Sequence, residues 1–105
     1  MSEYNLNGRV VIVTGAARRV GAAIARRLHA AGMQVLLHYR NSETDARALE
    51  KALNGVRAGS AACVRAELLD ADAPSAVIGA ALENFARLDL LVNNAGGAPP
   101  SDTAT

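Results

Sequence analysis

Val10, Val11, Ile12 and Val13 form an unbroken β-branched run that ends at Thr14 and Gly15. Such a run has no polar side to turn to water. It suits a strand covered on both faces, the condition of a parallel sheet. After Gly15 the apolar period changes. Val20, Ile24 and Leu28 recur every four residues, Arg26, Arg27 and His29 are turned away, and Gly32 ends the helix. The alternation then repeats. "QVLLHY" reads as a second strand. Ser42 is placed to cap a helix whose stripe is Ala46, Leu49 and Leu53, ended by Gly55. "SAACVRA" reads as a third strand. Pro74 sits near the start of a third helix, where proline is tolerated, with Val77, Ile78, Ala81, Leu82, Phe85 and Leu88 as its buried stripe. "LDLLVNNAGG" is a fourth strand running into a glycine-bearing loop, and "APPSDTAT" has no periodicity.

Strands alternating with helices imply parallel pairing through crossovers. The expected architecture is α/β, the N-terminal part of a doubly wound, Rossmann-type parallel sheet with strand order 3-2-1-4. In that order the first two crossover helices share one face of the sheet and the third covers the other. The switch point lies between the first and fourth strands. Both glycine-bearing loops, 14–21 and 93–97, then open onto one crevice.

The totals exclude several other classes. The 105 residues allow one small domain, half of them are hydrophobic, and the net charge is +1. That balance is globular and gives no electrostatic case for nucleic acid or a membrane surface. The single cysteine, Cys63, excludes an internal disulfide and reads as a small buried hydrophobe suited to a reducing compartment. "MSEYNLNGRV" lacks the basic and apolar halves of a signal peptide, so a cytoplasmic location is expected. No metal-ligand spacing occurs.

The loop "VTGAARRVG", residues 13–21, carries the chemistry. A glycine-spaced turn is weak evidence alone and can be a plain strand-to-helix connection. Here it follows a strand and opens a helix, the setting that makes nucleotide binding the better reading. Gly15 permits the tight turn, Gly21 permits close packing of the helix, and the first-turn amides face an anion. Arg18 and Arg19 are bulky cations in this loop, with Arg19 where a third glycine is expected. They read either as solvated charges or as phosphate ligands. The end of the second strand decides between these readings. An acid about 20 residues past the glycine motif would meet a free ribose 2′-OH. That place reads "HYRNS", with Arg40 at the expected position and no acid before Glu43. Arg40 and Ser42 suit an adenosine 2′-phosphate, and Arg18 can close on it from across the crevice. Tyr39 belongs to the same adenosine side.

"VTGAARRVG", "LHYRNS", "AELLD" and "LVNNAG", in that order, resemble the N-terminal half of the short-chain dehydrogenase/reductase family. "TGAARRVG" with "HYRNS" is most similar to its pteridine reductase branch. The resemblance covers nearly the whole chain and implies binding of NADPH. It implies that Arg18, Arg40, Asn41 and Ser42 sit at the 2′-phosphate, and Arg19 and Val20 near the diphosphate. Glu67, where the family more often has Asp, and Leu68 would lie beside the adenine. Asn94, Ala95 and Gly96 would line the ribose and nicotinamide side. It also implies a homo-oligomer, a tetramer in the family, acting on a small carbonyl, imine or pterin.

The chain departs from the family in two places. Pteridine reductases follow the paired asparagines with Ala-Ser-Ser and then an aromatic ring, but this sequence has Gly96 and Ala98 there. The family also uses a Ser and a Tyr-x-x-x-Lys pair, whereas tyrosine here stands only at Tyr4 and Tyr39 and lysine only at Lys51. No catalytic residue is therefore expected in this stretch. The expectation is a dinucleotide-binding half-domain over residues 1–98, with an irregular tail over 99–105 at a truncation point. It would be the cofactor-binding part of an NADPH-dependent oxidoreductase. The alternatives are a non-catalytic dinucleotide-binding fragment or an inactive remnant.

Overall fold

Each apolar run becomes a strand and each four-residue stripe a helix. The structure, a computed structural model, describes residues 5–94. The order is β1 (Val10–Val13), α1 (Arg19–Ala30), β2 (Gln34–Tyr39), α2 (Glu43–Val56), β3 (Ala61–Arg65), α3 (Ala73–Phe85) and β4 (Leu90–Val92). The four strands form one parallel sheet in the order β3-β2-β1-β4. Val11 sits between Val35 of β2 and Leu90 of β4, which sets the register at the switch point. The expected boundary at residues 98 and 99 lies outside the described residues.

Alternation along the strands divides the core in two. Val11, Val13, Val35 and Leu37 face one way and pack with Ala25 of α1 and Leu49 and Leu53 of α2. Val10, Ile12 and Leu36 face the other way and pack with Ala73, Val77 and Ala81 of α3. Two helices cover one face and one helix the other, as the strand order required. Leu90 and Leu91 of β4 stay 43% and 57% exposed.

The helix faces differ from the sequence reading in detail. The buried line of α1 is Gly21, Ala25 and His29, while Val20 is exposed and Ile24 and Leu28 are half-buried. The close seat of Gly21 against the β1–α1 turn rotates the helix by about one residue, roughly 100°. His29 is therefore buried, not turned away. Its Nε2 lies 2.6 Å from Ser60 Oγ, and that hydroxyl donates to the Arg57 carbonyl. Burial, with Arg57 nearby, pushes the His29 imidazole below its ordinary pKa. The Arg57 guanidinium donates to the carbonyls of His29 and Met33, satisfying the end of α1 from the end of α2. In α3 only Ala73, Val77 and Ala81 are buried. Ile78 and Leu82 are 44% and 49% exposed, because the sheet accepts a narrow line of small residues. Gly55 does not stop α2, which runs to Val56 and is capped at Arg57. Ser42 holds the N-cap position without a side-chain capping bond, and Glu43 and Asp45 supply the negative charge that suits a helix N-terminus.

Asp89 fastens β4 to β1. Its carboxylate accepts the Val10 amide at 2.8 Å, and its own amide donates to the Val10 carbonyl at 2.9 Å. Arg87 adds two hydrogen bonds at 2.8 and 2.7 Å. These donors, Arg87 first and the Val10 amide second, hold the Asp89 carboxyl below its ordinary value of 3.8. A depressed folded pKa means that the unfolded chain takes up protons first. The stabilisation is complete above the ordinary value and is lost as acid titrates through the lowered one. Asp89→Asn should melt at a lower temperature near neutral pH and show a shallower loss of stability on the acid side. Thermal melts of both proteins across that range test this, and identical acid slopes would contradict it.

Candidate functional site

Three chain crossings meet at the C-terminal ends of β1, β2 and β4. The turn after β1 begins at Thr14, whose amide donates to the Val92 carbonyl of β4 at 3.0 Å. Thr14 Oγ1 accepts the Asn94 amide at 2.8 Å. Gly15 follows with φ 62°, a left-handed backbone that glycine takes without a steric penalty. The Asn94 side chain donates to the Gly15 carbonyl at 3.2 Å. The Ala16 amide donates to the His38 carbonyl of β2 at 2.9 Å. The turn is thus held by β4 on one side and β2 on the other.

Arg18 is extended at the N-cap of α1, and Arg19 opens the helix with φ 54°. Arg19 therefore occupies the left-handed region that glycine would favour, the place where a third glycine was expected. A non-glycine residue there carries backbone strain, which folded proteins tend to keep at functional sites. The first turn of α1 has no acidic residue. Its leading amides have no acceptor within the helix, and the helix dipole adds positive potential at the same end. Backbone and side chains together make an anion cradle.

Two recesses open beside this turn and share Gly15 and Arg40. The larger, about 500 Å³, runs between the turn and the end of β3 and also has Glu67, Leu68 and Asn94 in its wall. The smaller, about 210 Å³, takes Arg18, Tyr39, Asn41 and Ser42. The structure thus brings together Gly15, Arg18, Tyr39, Arg40, Asn41, Ser42, Glu67, Leu68 and Asn94. Arg19 and Val20 stand exposed on the first turn of α1, and Gly21 is buried beneath it. Ala95 and Gly96 lie outside the described residues.

Both cations of the small recess have carboxylate partners. Arg40 Nε is 2.6 Å from Glu67 Oε2, and Arg18 Nε is 3.7 Å from Asp45 Oδ2. All four side chains are at least one-third exposed, so these pairs are weak, on the order of 0–1 kcal/mol each. An incoming phosphate can displace them. Residues absent from the sequence reading of the site are Asp45, which partners Arg18, and His38, Ala66 and Leu69, which line the larger recess. His38 is buried, bonded to both the turn and the residue that follows β3. A histidine among leucines inside a strand was the available signal.

Cys63 lies apart from this chemistry. Its thiol donates to the Ala46 carbonyl at 3.4 Å, and burial above all pushes its pKa up to about 12. It stays protonated at neutral pH, in keeping with a small core residue and not a nucleophile. Among the described residues no group of three or more His, Cys, Asp or Glu side chains could hold a metal ion. No helix among them is long and apolar enough to cross a membrane.

Known proteins are similar to this chain in sequence. The family model described as short chain dehydrogenase matches residues 9–105. A 3beta-hydroxysteroid dehydrogenase 1 of Eggerthella lenta is 41% identical over 93% of this chain and 38% of its own length. A 3-oxoacyl-[acyl-carrier-protein] reductase of Synechocystis is 43% identical over 87% of this chain and 36% of its own. Pteridine reductase 1 of Leishmania tarentolae is 39% identical over 88% of this chain and 38% of its own. The chain therefore spans a little over a third of the length of these relatives.

Gly21 tests the geometry of the cradle. A Cβ there would collide with the Gly15 carbonyl and lie 2.7 Å from Asn94 Nδ2. The Gly15 contact is backbone and cannot swing aside. Gly21→Ala should cost at least about 1–3 kcal/mol, the usual range for overpacking. Urea unfolding of the two proteins measures this. An unchanged midpoint would mean that α1 does not sit against the turn.

Proposed function

The chain belongs to the short-chain dehydrogenase family, and from that premise we propose that it is the part of an oxidoreductase that binds NADPH. One observation carries the choice of cofactor. Arg40 stands at the end of β2, where a ribose-binding acid would otherwise be, and lines both recesses. The glycines fit the group. Gly15 turns the chain tightly, and Gly21, with no Cβ to meet the Gly15 carbonyl, lets the first turn of α1 close on the end of β1.

In this reading the adenosine end enters by the smaller recess. Arg40 exchanges Glu67 for the 2′-phosphate, and Arg18 exchanges Asp45. Charge-assisted hydrogen bonds of about 1.5–3 kcal/mol each outweigh exposed carboxylate pairs of about 0–1 kcal/mol. Asn41 and Ser42 add neutral polar contacts. The first-turn amides of α1, with Arg19 and Val20, take the diphosphate. Glu67 and Leu68 flank the adenine, and Asn94, followed by Ala95 and Gly96, lies toward the ribose and nicotinamide.

NADPH supplies the hydride of the family's chemistry. The proton donor that would follow is not in this stretch, since tyrosine stands only at Tyr4 and Tyr39 and lysine only at Lys51. That observation also favours a second reading, a dinucleotide-binding unit without turnover of its own. In a longer protein the substrate would be a small carbonyl, imine or pterin, and the enzyme a cytoplasmic homo-oligomer. The similarity to pteridine reductase 1 of Leishmania tarentolae supports the pterin, while Gly96 and Ala98 in this sequence do not.

Two measurements check this reading. Calorimetric titration should find NADPH bound at least about tenfold tighter than NADH, with the preference reversed in Arg40→Asp. Equal affinities in the unmutated protein would contradict it. The purified chain should also oxidise no NADPH above background with ketone, quinone or pterin substrates, because a positioned proton donor is typically worth about 10²–10⁴ in rate. Steady absorbance loss at the nicotinamide band would overturn the assignment of this stretch to binding alone.

A further inference from the structure

His38 lies within β2 with 2% of its surface exposed. Its Nδ1 is 3.0 Å from the Gly15 amide nitrogen, and its Nε2 is 2.8 Å from the Ala66 carbonyl oxygen. A backbone amide can only donate and a carbonyl can only accept. Nδ1 must therefore present a lone pair and Nε2 must carry the proton. The other neutral tautomer would set donor against donor at Gly15 and acceptor against acceptor at Ala66. The imidazolium would still oppose the Gly15 amide. The surroundings admit one protonation state of the ring.

The same residue grips the turn a second time, because its carbonyl accepts the Ala16 amide at 2.9 Å. Gly15, His38 and Ala66 are three neighbouring parts of the wall of the larger recess. The ring bridges that recess from the glycine turn to the end of β3. On this face α3 buries only Ala73, Val77 and Ala81, and β1 supplies Val10 and Ile12, none of them titratable. The charged groups at the recess are Arg40, from the end of β2, and Glu67, from the segment after β3, and they pair with each other.

We propose that His38 is a positioning residue whose neutral Nε2–H ring holds the glycine turn in register with the end of β3, so that losing its bond to Gly15 weakens dinucleotide binding. The proposal rests on the dinucleotide-binding reading for its ligand, but the link between His38 and Gly15 stands without it.

The test has two arms on the full chain. Nitrogen-15 NMR reads the tautomer of the His38 ring and the coupling across its hydrogen bond to the Gly15 amide. Calorimetry under the same conditions compares NADPH binding by the wild type, His38→Asn and His38→Phe. The asparagine Oδ1 can accept from Gly15, while phenylalanine removes both bonds. The ring is expected to be the neutral Nε2–H form, coupled to the Gly15 amide through Nδ1. His38→Phe should bind NADPH roughly tenfold more weakly than the wild type, with His38→Asn restoring most of that loss. A proton on Nδ1, no coupling between His38 and Gly15, a His38→Phe affinity equal to that of the wild type, or a His38→Asn variant as weak as His38→Phe would each overturn the proposal. No NADPH binding by the wild type would instead defeat the dinucleotide reading and leave the NMR arm to decide the link between His38 and Gly15.

Discussion

The missing side chain of Gly21 lets the turn after β1 close against α1. At this point the helix meets the Gly15 carbonyl more closely than any Cβ would allow. Several consequences follow from that contact. It brings the first-turn amides and the positive end of the helix dipole over the end of β1. It forces the chain from Arg18 to Arg19 through an extended and then a left-handed conformation. It fixes the rotation of α1, so that Ala25 and His29 face inward and Val20 faces water. It also leaves the Gly15 carbonyl where the Asn94 side chain can donate to it, which ties β4 into the same junction.

Around that contact, apolar burial and polar pinning do different things. The valines and leucines of β1 and β2 are removed almost completely from water. Their burial drives the sheet together but is not directional. Direction comes from a small set of hydrogen bonds, each net worth about 0.5–1.5 kcal/mol. Asp89 on Val10 aligns the start of β4, Thr14 on Val92 and Asn94 aligns its end, and His38 joins the turn to β3. The cations at the rim are held more loosely by exposed carboxylates. The site therefore combines a rigid backbone cradle with side chains that can change partners.

Fold and site were legible in the sequence to different depths. Strand order was readable because the runs around Val11 and Leu36 are too apolar to face water and, like the run around Leu91, too short to be helices. Those strands, joined through helices, leave few arrangements. The glycine turn was readable because glycine at Gly15 and Gly21 has a geometric cause. Helix faces were less so. A stripe scored by hydrophobicity selects Val20, Ile78 and Leu82, but the sheet selects whatever fits, and it fits Gly21, Ala73 and Ala81. Buried histidines were hidden for a related reason. His29 and His38 look polar in any periodicity, and only the placement of Ser60, Gly15 and Ala66 shows that each ring is satisfied inside. The pairing of Arg18 with Asp45 and of Arg40 with Glu67 depends on side-chain placement across the crevice, which spacing along the chain does not contain.

The central claim is that one crevice, assembled from the turn after β1 and the ends of β2, β3 and β4, takes one dinucleotide. Amide chemical-shift mapping tests it most directly, with NADPH added to the nitrogen-15-labelled chain. The account predicts that the perturbed amides gather at Gly15–Gly21, Arg40–Ser42, Glu67–Leu69 and Asn94, and that all move with one saturation curve. Shifts centred on the exposed face of α3 and β4, or separate curves for the two recesses, would contradict it.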